Sequence, residues 1–267
     1  MKYKLIISDY DGTLGAAPIN NIDPETLDAI KRFTAKGGVF AVCSGREYRS
    51  IRKICVNHGL KGLVVSFQGA RIHDIQTKER LFSGGLSAEM ALQAVNDVKP
   101  YGLTAMIYTE DCFYYEQANQ VTAFYERAVD MKGEVVDIEK KIKELGSVCK
   151  MGWLGEEEKV VQAVAELNQK YKGINLKYNS GAKMLLEAVN PQTTKGRAVR
   201  FLADYYNIPL DQVLTVGDST NDIDLVGGEW YGVAVGDAKE ELKAVAKEIA
   251  PEFKDKPIKY LIEKYCL

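Results

Sequence analysis

The stretch Leu5 to Leu14, LIISDYDGTL, constrains this chain more than any other. A short apolar run bounded by turn residues reads as a buried strand, and this one stops on two carboxylates, Asp9 and Asp11, separated by one residue. Side chains alternate along a strand with period two, so both acids can leave it on one side. Gly12 lets the backbone turn sharply, and Thr13 has a hydroxyl that can tie the turn down. Two close carboxylates at a strand's carboxyl end suit a divalent cation, or a division of labour between a nucleophile and a general acid/base. A plain strand followed by a polar turn has the same spacing. An EF-hand start fits poorly, because Thr13 and Leu14 stand where that loop wants an oxygen-rich ligand and its glycine.

The pattern around this stretch alternates strand and helix. Strands are expected at Lys4 to Ser8, Val39 to Cys43 and Leu63 to Ser66, with helices at Pro24 to Lys36 and Glu47 to Asn57. Asp23 can cap the first helix, Pro24 suits its first position and Gly37-Gly38 lie beyond its end. A βαβαβ order argues for an α/β fold with a parallel sheet covered by helices. From about Ser83 to Val189 the grammar changes. Helices at Ala88 to Lys99, Val121 to Met131, Ile138 to Leu145 and Glu156 to Tyr171 mix with strands near Leu103 to Tyr108, Cys112 to Tyr115 and Cys149 to Leu154. That segment should close on a hairpin, Ile174 to Tyr178 and Lys183 to Val189, turning at Asn179-Ser180-Gly181. After Asn190-Pro191 the first grammar resumes, with helices at Gly196 to Tyr206, Asn221 to Val226 and Lys239 to Lys247 and strands at Gln212 to Val216 and Gly232 to Val235. The expected organisation is one α/β domain, residues 1–82 and 190–267, interrupted by a second, residues 83–189.

Composition narrows the function. The chain has 267 residues, 46% of them hydrophobic, which is enough for sizeable cores. No apolar run is long enough to span a bilayer. A formal net charge of −2 leaves no basic excess for nucleic acid. Five cysteines, Cys43, Cys55, Cys112, Cys149 and Cys266, form no CxxC pair, which favours reduced thiols. Met1-Lys2-Tyr3-Lys4-Leu5 leads straight into the strand carrying Asp9, so a cleaved leader there would destroy the site and a cytoplasmic location is expected. His58 and His73 stand apart with no zinc-like set of partners, which suggests structural or surface roles.

Asp9-Tyr10-Asp11-Gly12-Thr13-Leu14 has three companions in order: Val42-Cys43-Ser44-Gly45-Arg46, Lys195-Gly196, and Gly217-Asp218-Ser219-Thr220-Asn221-Asp222. Together they resemble the four motifs of the haloacid dehalogenase-like phosphohydrolases, within them the Cof-type subfamily IIB, and the resemblance covers essentially the whole chain. It implies a Rossmann-like core with a parallel sheet and an inserted α/β cap of the C2 type, acting as a lid. It implies Asp9 as a nucleophile forming an aspartyl-phosphate, Asp11 as general acid/base, and Mg²⁺ held by Asp9, the backbone carbonyl of Asp11 and Asp218. Phosphate would be held by Ser44, Lys195, Asn221 and the backbone N–H groups of Tyr10 and Gly45, with Asp222 acting from behind the metal ligands. The positive charge has a physical purpose: a carboxylate attacking an anionic ester at 4 Å faces roughly 4 kcal/mol per like-charge pair at an effective dielectric near 20.

Tyr10 replaces a more usual aliphatic residue, Gln68-Gly69-Ala70 stands where the family commonly has Asn-Gly-Ala, and Pro191-Gln192-Thr193-Thr194 precedes Lys195 in place of a glycine-containing turn. Arg46, Gln68 and Asn179 are candidates for setting specificity. The implied activity is hydrolysis of small phosphorylated metabolites, most plausibly sugar phosphates, with no nucleic-acid or membrane partner. A phosphomutase or phosphotransferase would share the aspartyl-phosphate step. A phosphosugar-binding regulator would not need an acid/base two residues after a nucleophile.

Overall fold

A computed structural model of the chain describes residues 1–16, 19–110, 112–129, 132–172 and 176–267. The apolar run forms the strand Leu5–Ser8, buried throughout, inside an eight-stranded sheet. The sheet order is Glu248–Ile249, Tyr231–Ala234, Val213–Gly217, Leu5–Ser8, Val39–Cys43, Leu63–Ser66, Arg71–Asp74 and Arg80–Ser83. The first six strands are mutually parallel, and the last two pairings, Leu63–Ser66 with Arg71–Asp74 and Arg71–Asp74 with Arg80–Ser83, are antiparallel. Strands covered on both faces read as unbroken apolar stretches, which is why LIIS, VFAVC and LVVS were legible.

One face is covered by the helix Lys195–Tyr205, whose Ala198, Val199, Leu202 and Ala203 pack with Leu5, Ile7, Ala41, Cys43, Leu63 and Val65. Alternation turns Ile6, Phe40, Val42 and Val64 the other way, and the helices Pro24–Ala35 and Tyr48–Asn57 adjoin the strands Val39–Cys43 and Leu63–Ser66. Asp23 caps the first of these helices by accepting from the N–H groups of Glu25 and Thr26. The helix Pro257–Tyr265, absent from the sequence expectations, packs on it and buries Ile258, Leu261 and Ile262.

Register delivers the functional residues to one edge. Ser8 lies between Val216 and Val42, so Asp9, Ser44 and Asp218 emerge within two residues of a common line at the carboxyl ends of three adjacent parallel strands.

The chain divides into two units, Met1–Ser83 with Thr194–Leu267, and Gly84–Thr193. The second unit has its own six-stranded sheet in the order Glu134–Val135, Phe113–Tyr115, Thr104–Tyr108, Lys150–Leu154, Leu185–Val189 and Lys177–Ala182. It is antiparallel except for the first pair. The helices Ala88–Val98, Ile138–Leu145 and Glu157–Tyr171 share a core with Ala105, Ile107, Met151, Trp153, Leu186 and Ala188 on one face of that sheet.

The hairpin turn is not at Asn179-Ser180-Gly181. The strand Lys177–Ala182 continues through those residues and turns at Lys183 and Met184. A register shift between Ser180 and Ala182 shows why: Gly181 marks a bulge, a place that favours glycine as strongly as a turn does. The expected end of one helix at Met131 and the expected start of the hairpin at Ile174 lie outside the described residues. Among the described residues no helix is long and apolar enough to cross a membrane.

Candidate active site

Asp9 follows its strand directly, and its N–H donates to the carbonyl of Val216 at 2.9 Å. The chain then folds back on itself, with the Tyr10 carbonyl accepting from the N–H groups of Thr13, Leu14 and Gly15. Gly12 sits at φ +77°, and a Cβ there would lie 2.6 Å from Oδ2 of Asp218. This position therefore needs glycine both for its left-handed backbone and for the approach of Asp218. Thr13 donates to Oδ1 of Asp218 at 3.3 Å, so the hydroxyl expected to tie its own turn instead ties that turn to the strand end 205 residues away.

Asp9, Asp218 and Asp222 each bring a carboxylate oxygen within 4.8 Å of the others. Lys195, 1% exposed, donates to Asp9 Oδ1 at 2.7 Å and to Asp222 Oδ1 at 2.6 Å. Its position depends on Gly69, at φ +103°, where a side chain would collide with the carbonyl of Thr194. Thr194 caps the helix by accepting from the Arg197 N–H, and Asp224 accepts from the Gly196 N–H at 2.9 Å. Asp222 has no spare oxygen. Its Oδ2 takes the N–H groups of Asp218 and Ser219, each at 3.2 Å, while Oδ1 takes Lys195.

Electrostatics follows from burial. Burial pushes the Asp9 carboxyl up to about 8, with Lys195 pulling it down and Asp222 and Asp218 adding like charge. Burial and Asp222 likewise raise Asp218, to about 6. Burial opposes the Lys195 ammonium, but Asp9 and Asp222 outweigh it and hold the charge on. Three carboxylates share one ammonium, so the cluster is short of positive charge. Asp9 and Asp218 retain oxygen atoms able to ligate a cation, a hard donor set of the kind Mg²⁺ takes.

The second motif lies beside this cluster. Ser44 is buried, and its Oγ accepts the Arg46 N–H at 3.1 Å, which leaves the hydroxyl hydrogen for an anion. Gly45 faces the Gln68 amide, and a Cβ on Gly45 would strike Nε2. Gln68 and Phe67 both have positive φ, 58° and 51°, and Oε1 of Gln68 is buried without a hydrogen-bond partner among the described residues. Arg46 does not point to open space. It grips Asp11, with Nε donating to Oδ2 at 2.7 Å and Nη2 to Oδ1 at 2.5 Å. Asn221 is exposed on the single turn Thr220–Asp222. Asn179 is half-buried in the second unit, paired in register with Glu187, which forms an ion pair with Lys150.

The residues gathered in the first unit are thus Asp9, Lys195, Asp218 and Asp222 in one cluster, with Asp11 and Arg46 in a second pair. Sequence reasoning named Gly69 only within Gln68-Gly69-Ala70 and missed Asp224 and Asn20, whose Oδ1 accepts from Nη1 of Arg46 at 2.7 Å, because their partners lie on other segments. A glycine in the loop after a parallel strand was the one available signal.

A model of the haloacid dehalogenase-like hydrolases matches residues 6–262. A Haemophilus influenzae protein provisionally named a phosphatase is 29% identical over 99% of this chain and 98% of its own. The 5-amino-6-(5-phospho-D-ribitylamino)uracil phosphatase YitU of Bacillus subtilis is 23% identical over 98% of each. Among solved structures, the HAD subclass IIB sugar phosphatase BT4131 superposes with a TM-score of 0.79 at 18% identity, covering 98% of each chain.

Proposed function

The chain belongs to the haloacid dehalogenase-like hydrolase family, and from that membership we propose that it is a Mg²⁺-dependent phosphatase of small phosphorylated metabolites, most plausibly sugar phosphates. The observation that carries this reading is the buried Asp9 carboxylate held by Lys195 at 2.7 Å beside Asp218. A fixed carboxylate at the mouth of a parallel sheet, flanked by a buried ammonium, suits in-line attack on phosphorus.

In this reading an oxygen of Asp9 attacks phosphorus and forms a P–O bond. The bond to the alcohol breaks, its electron pair leaves on the alcohol oxygen, and that oxygen takes a proton from the Asp11 carboxyl. Water then attacks the aspartyl-phosphate and gives its proton to the Asp11 carboxylate. The P–O bond to Asp9 breaks, releasing inorganic phosphate and restoring both residues. Lys195, the Ser44 hydroxyl, the N–H groups of Tyr10 and Gly45, and Asn221 would hold the phosphate oxygens. The Asp9 and Asp218 carboxylates and the Asp11 carbonyl would hold Mg²⁺, which when bound supplies the charge that lets an anionic ester lie beside carboxylates. Asp222, with both oxygens engaged by Lys195 and backbone N–H groups, orients the lysine. The phosphatase named above for a phosphoribityl compound supports a polyol or sugar phosphate as the substrate class.

The test is a screen of phosphorylated sugars, nucleotides and cofactors with Mg²⁺ present and absent. Phosphate release that depends on Mg²⁺ and favours sugar phosphates is expected, with a phosphorylated Asp9 peptide recovered after acid quench. No release from any ester would refute the reading.

A further inference from the structure

The two acids of the first motif are held in opposite ways. Asp9 is buried on Lys195, whereas the Asp11 side chain is 46% exposed. Among the described residues the only side chain bonded to the Asp11 carboxylate is Arg46, which takes both oxygens in a parallel fork. Arg46 is itself immobilised. Its side chain is 18% exposed, its Nη1 donates to Oδ1 of Asn20 at 2.7 Å, and its guanidinium carbon lies 4.8 Å from the centre of the buried Tyr10 ring. Its backbone is pinned too, with the N–H on Ser44 Oγ and the carbonyl accepting from the Phe67 N–H at 2.9 Å. Three of its five N–H groups are thus committed to protein oxygens. Tyr10, which departs from the usual aliphatic residue, supplies the platform under the guanidinium.

We propose that Arg46 is a positioning residue that fixes the Asp11 carboxyl for proton transfer, an assignment that rests on the acid/base role given to Asp11 above. A freely rotating aspartate at the protein surface samples several rotamers, and proton transfer needs one of them within hydrogen-bond reach of the leaving oxygen. A planar fork that takes one lone pair on each oxygen selects one orientation and leaves each oxygen a second lone pair for the proton, which the point charge of a lysine cannot arrange. Arg46 was a candidate for reading the substrate directly. Three of its donors face Asp11 and Asn20, and through them it acts on Asp11.

Leaving groups that differ in their need for a proton separate this role from substrate binding. p-Nitrophenolate departs as a stable anion, whereas a sugar alkoxide needs the proton. First-turnover release of each is measured by rapid quench in wild type, Arg46→Met, Asp11→Asn and the double variant, with Mg²⁺ saturating. Arg46→Met is expected to slow sugar release roughly 10- to 100-fold, the scale for a catalytic group displaced by about an ångström. First-turnover p-nitrophenol release should change less than about threefold. Asp11→Asn should show the same selectivity, and the double variant should be no slower than Asp11→Asn. Arg46→Lys should fail to restore sugar release, and Asn20→Ala, which loosens the guanidinium and leaves Asp11 its fork, should give a smaller loss of the same selectivity. Equal slowing of both leaving groups, or losses that multiply in the double variant, would overturn the proposal while wild-type activity stands. Wild-type protein that forms no phosphorylated Asp9 would remove the acid/base reading and the proposal with it.

Discussion

Asp222 accepts the Lys195 ammonium at 2.6 Å on one oxygen and two backbone N–H groups on the other, with both side chains fully buried. The lysine therefore reaches Asp9 from a fixed base. Its charge is spent on the buried cluster and stays out of solvent.

Lys195→Met should act on stability and rate together. Asp222 would remain as a buried carboxylate without its cation, which costs about 3–5 kcal/mol, and turnover should fall on the order of 10²–10³-fold. Urea unfolding and steady-state kinetics on the same preparation measure the two. A change in turnover below about threefold would return Lys195 to a purely structural place.

Asp9→Asn is nearly isosteric and keeps an oxygen for Lys195, so the fold should survive. Turnover should be abolished, and intact-protein mass after acid quench should show no added phosphoryl group. Substantial activity in clean protein would take the nucleophile's role away from Asp9.

Chelator should remove activity and Mg²⁺ restore it. Because Asp218 is tied to the first motif through Thr13 and Gly12, Asp218→Ala should raise the Mg²⁺ needed for half-maximal rate at least tenfold, with little change at saturation. Full activity in chelator would sink the metal assignment.

Gly69→Ala tests the placement of Lys195. Gly37 and Gly69 both have φ near +90°, but among the described residues a Cβ meets nothing within 4 Å at Gly37 and strikes the Thr194 carbonyl at Gly69. Both alanine variants should lose roughly 1–3 kcal/mol from backbone strain. Only Gly69→Ala should also lose turnover, by about tenfold or more, since a small shift at a catalytic group is costly. Equal turnover in the two variants would show that the helix start has slack.

The second unit carries a pH signature. Burial opposes the Asp97 charge, but hydrogen bonds from Lys170, Tyr171 and Gln93 hold its carboxyl below the usual range. A carboxyl lowered on folding stabilises above its unfolded value, near about 4, and that stability is lost as pH falls through the folded value. Unfolding midpoints measured downward from pH 6 should therefore drop more steeply in wild type than in Asp97→Asn. Parallel slopes would show that Asp97 contributes nothing.

Much of the fold was legible because its strands are buried on both faces and its first helix is capped by Asp23-Pro24. The strands Arg71–Asp74 and Arg80–Ser83 were not, since RIHD and RLFS carry charge and the second, at the edge of the sheet, needs less apolar surface. The helix Pro257–Tyr265 was not among the expected elements, although Ile258, Leu261 and Ile262 stand at helical spacing; its packing on the helix Pro24–Ala35 shows which face is buried. Gly181 misled because a bulge and a turn draw the same residue.

What the sequence alone determined is the inventory and its address: acids, a hydroxyl and a lysine at strand ends or a helix start, with a changed grammar between them. Periodicity and turn chemistry are local, and those positions depend on nothing further away. Tertiary structure decided the pairings. Lys195 lies 186 residues from Asp9 and 27 from Asp222, Thr13 bonds Asp218 across 205 residues, and Arg46 reaches Asp11 across 35. Which of these acids keeps free oxygens depends on which strands become neighbours, and strand order is settled only when the whole sheet packs.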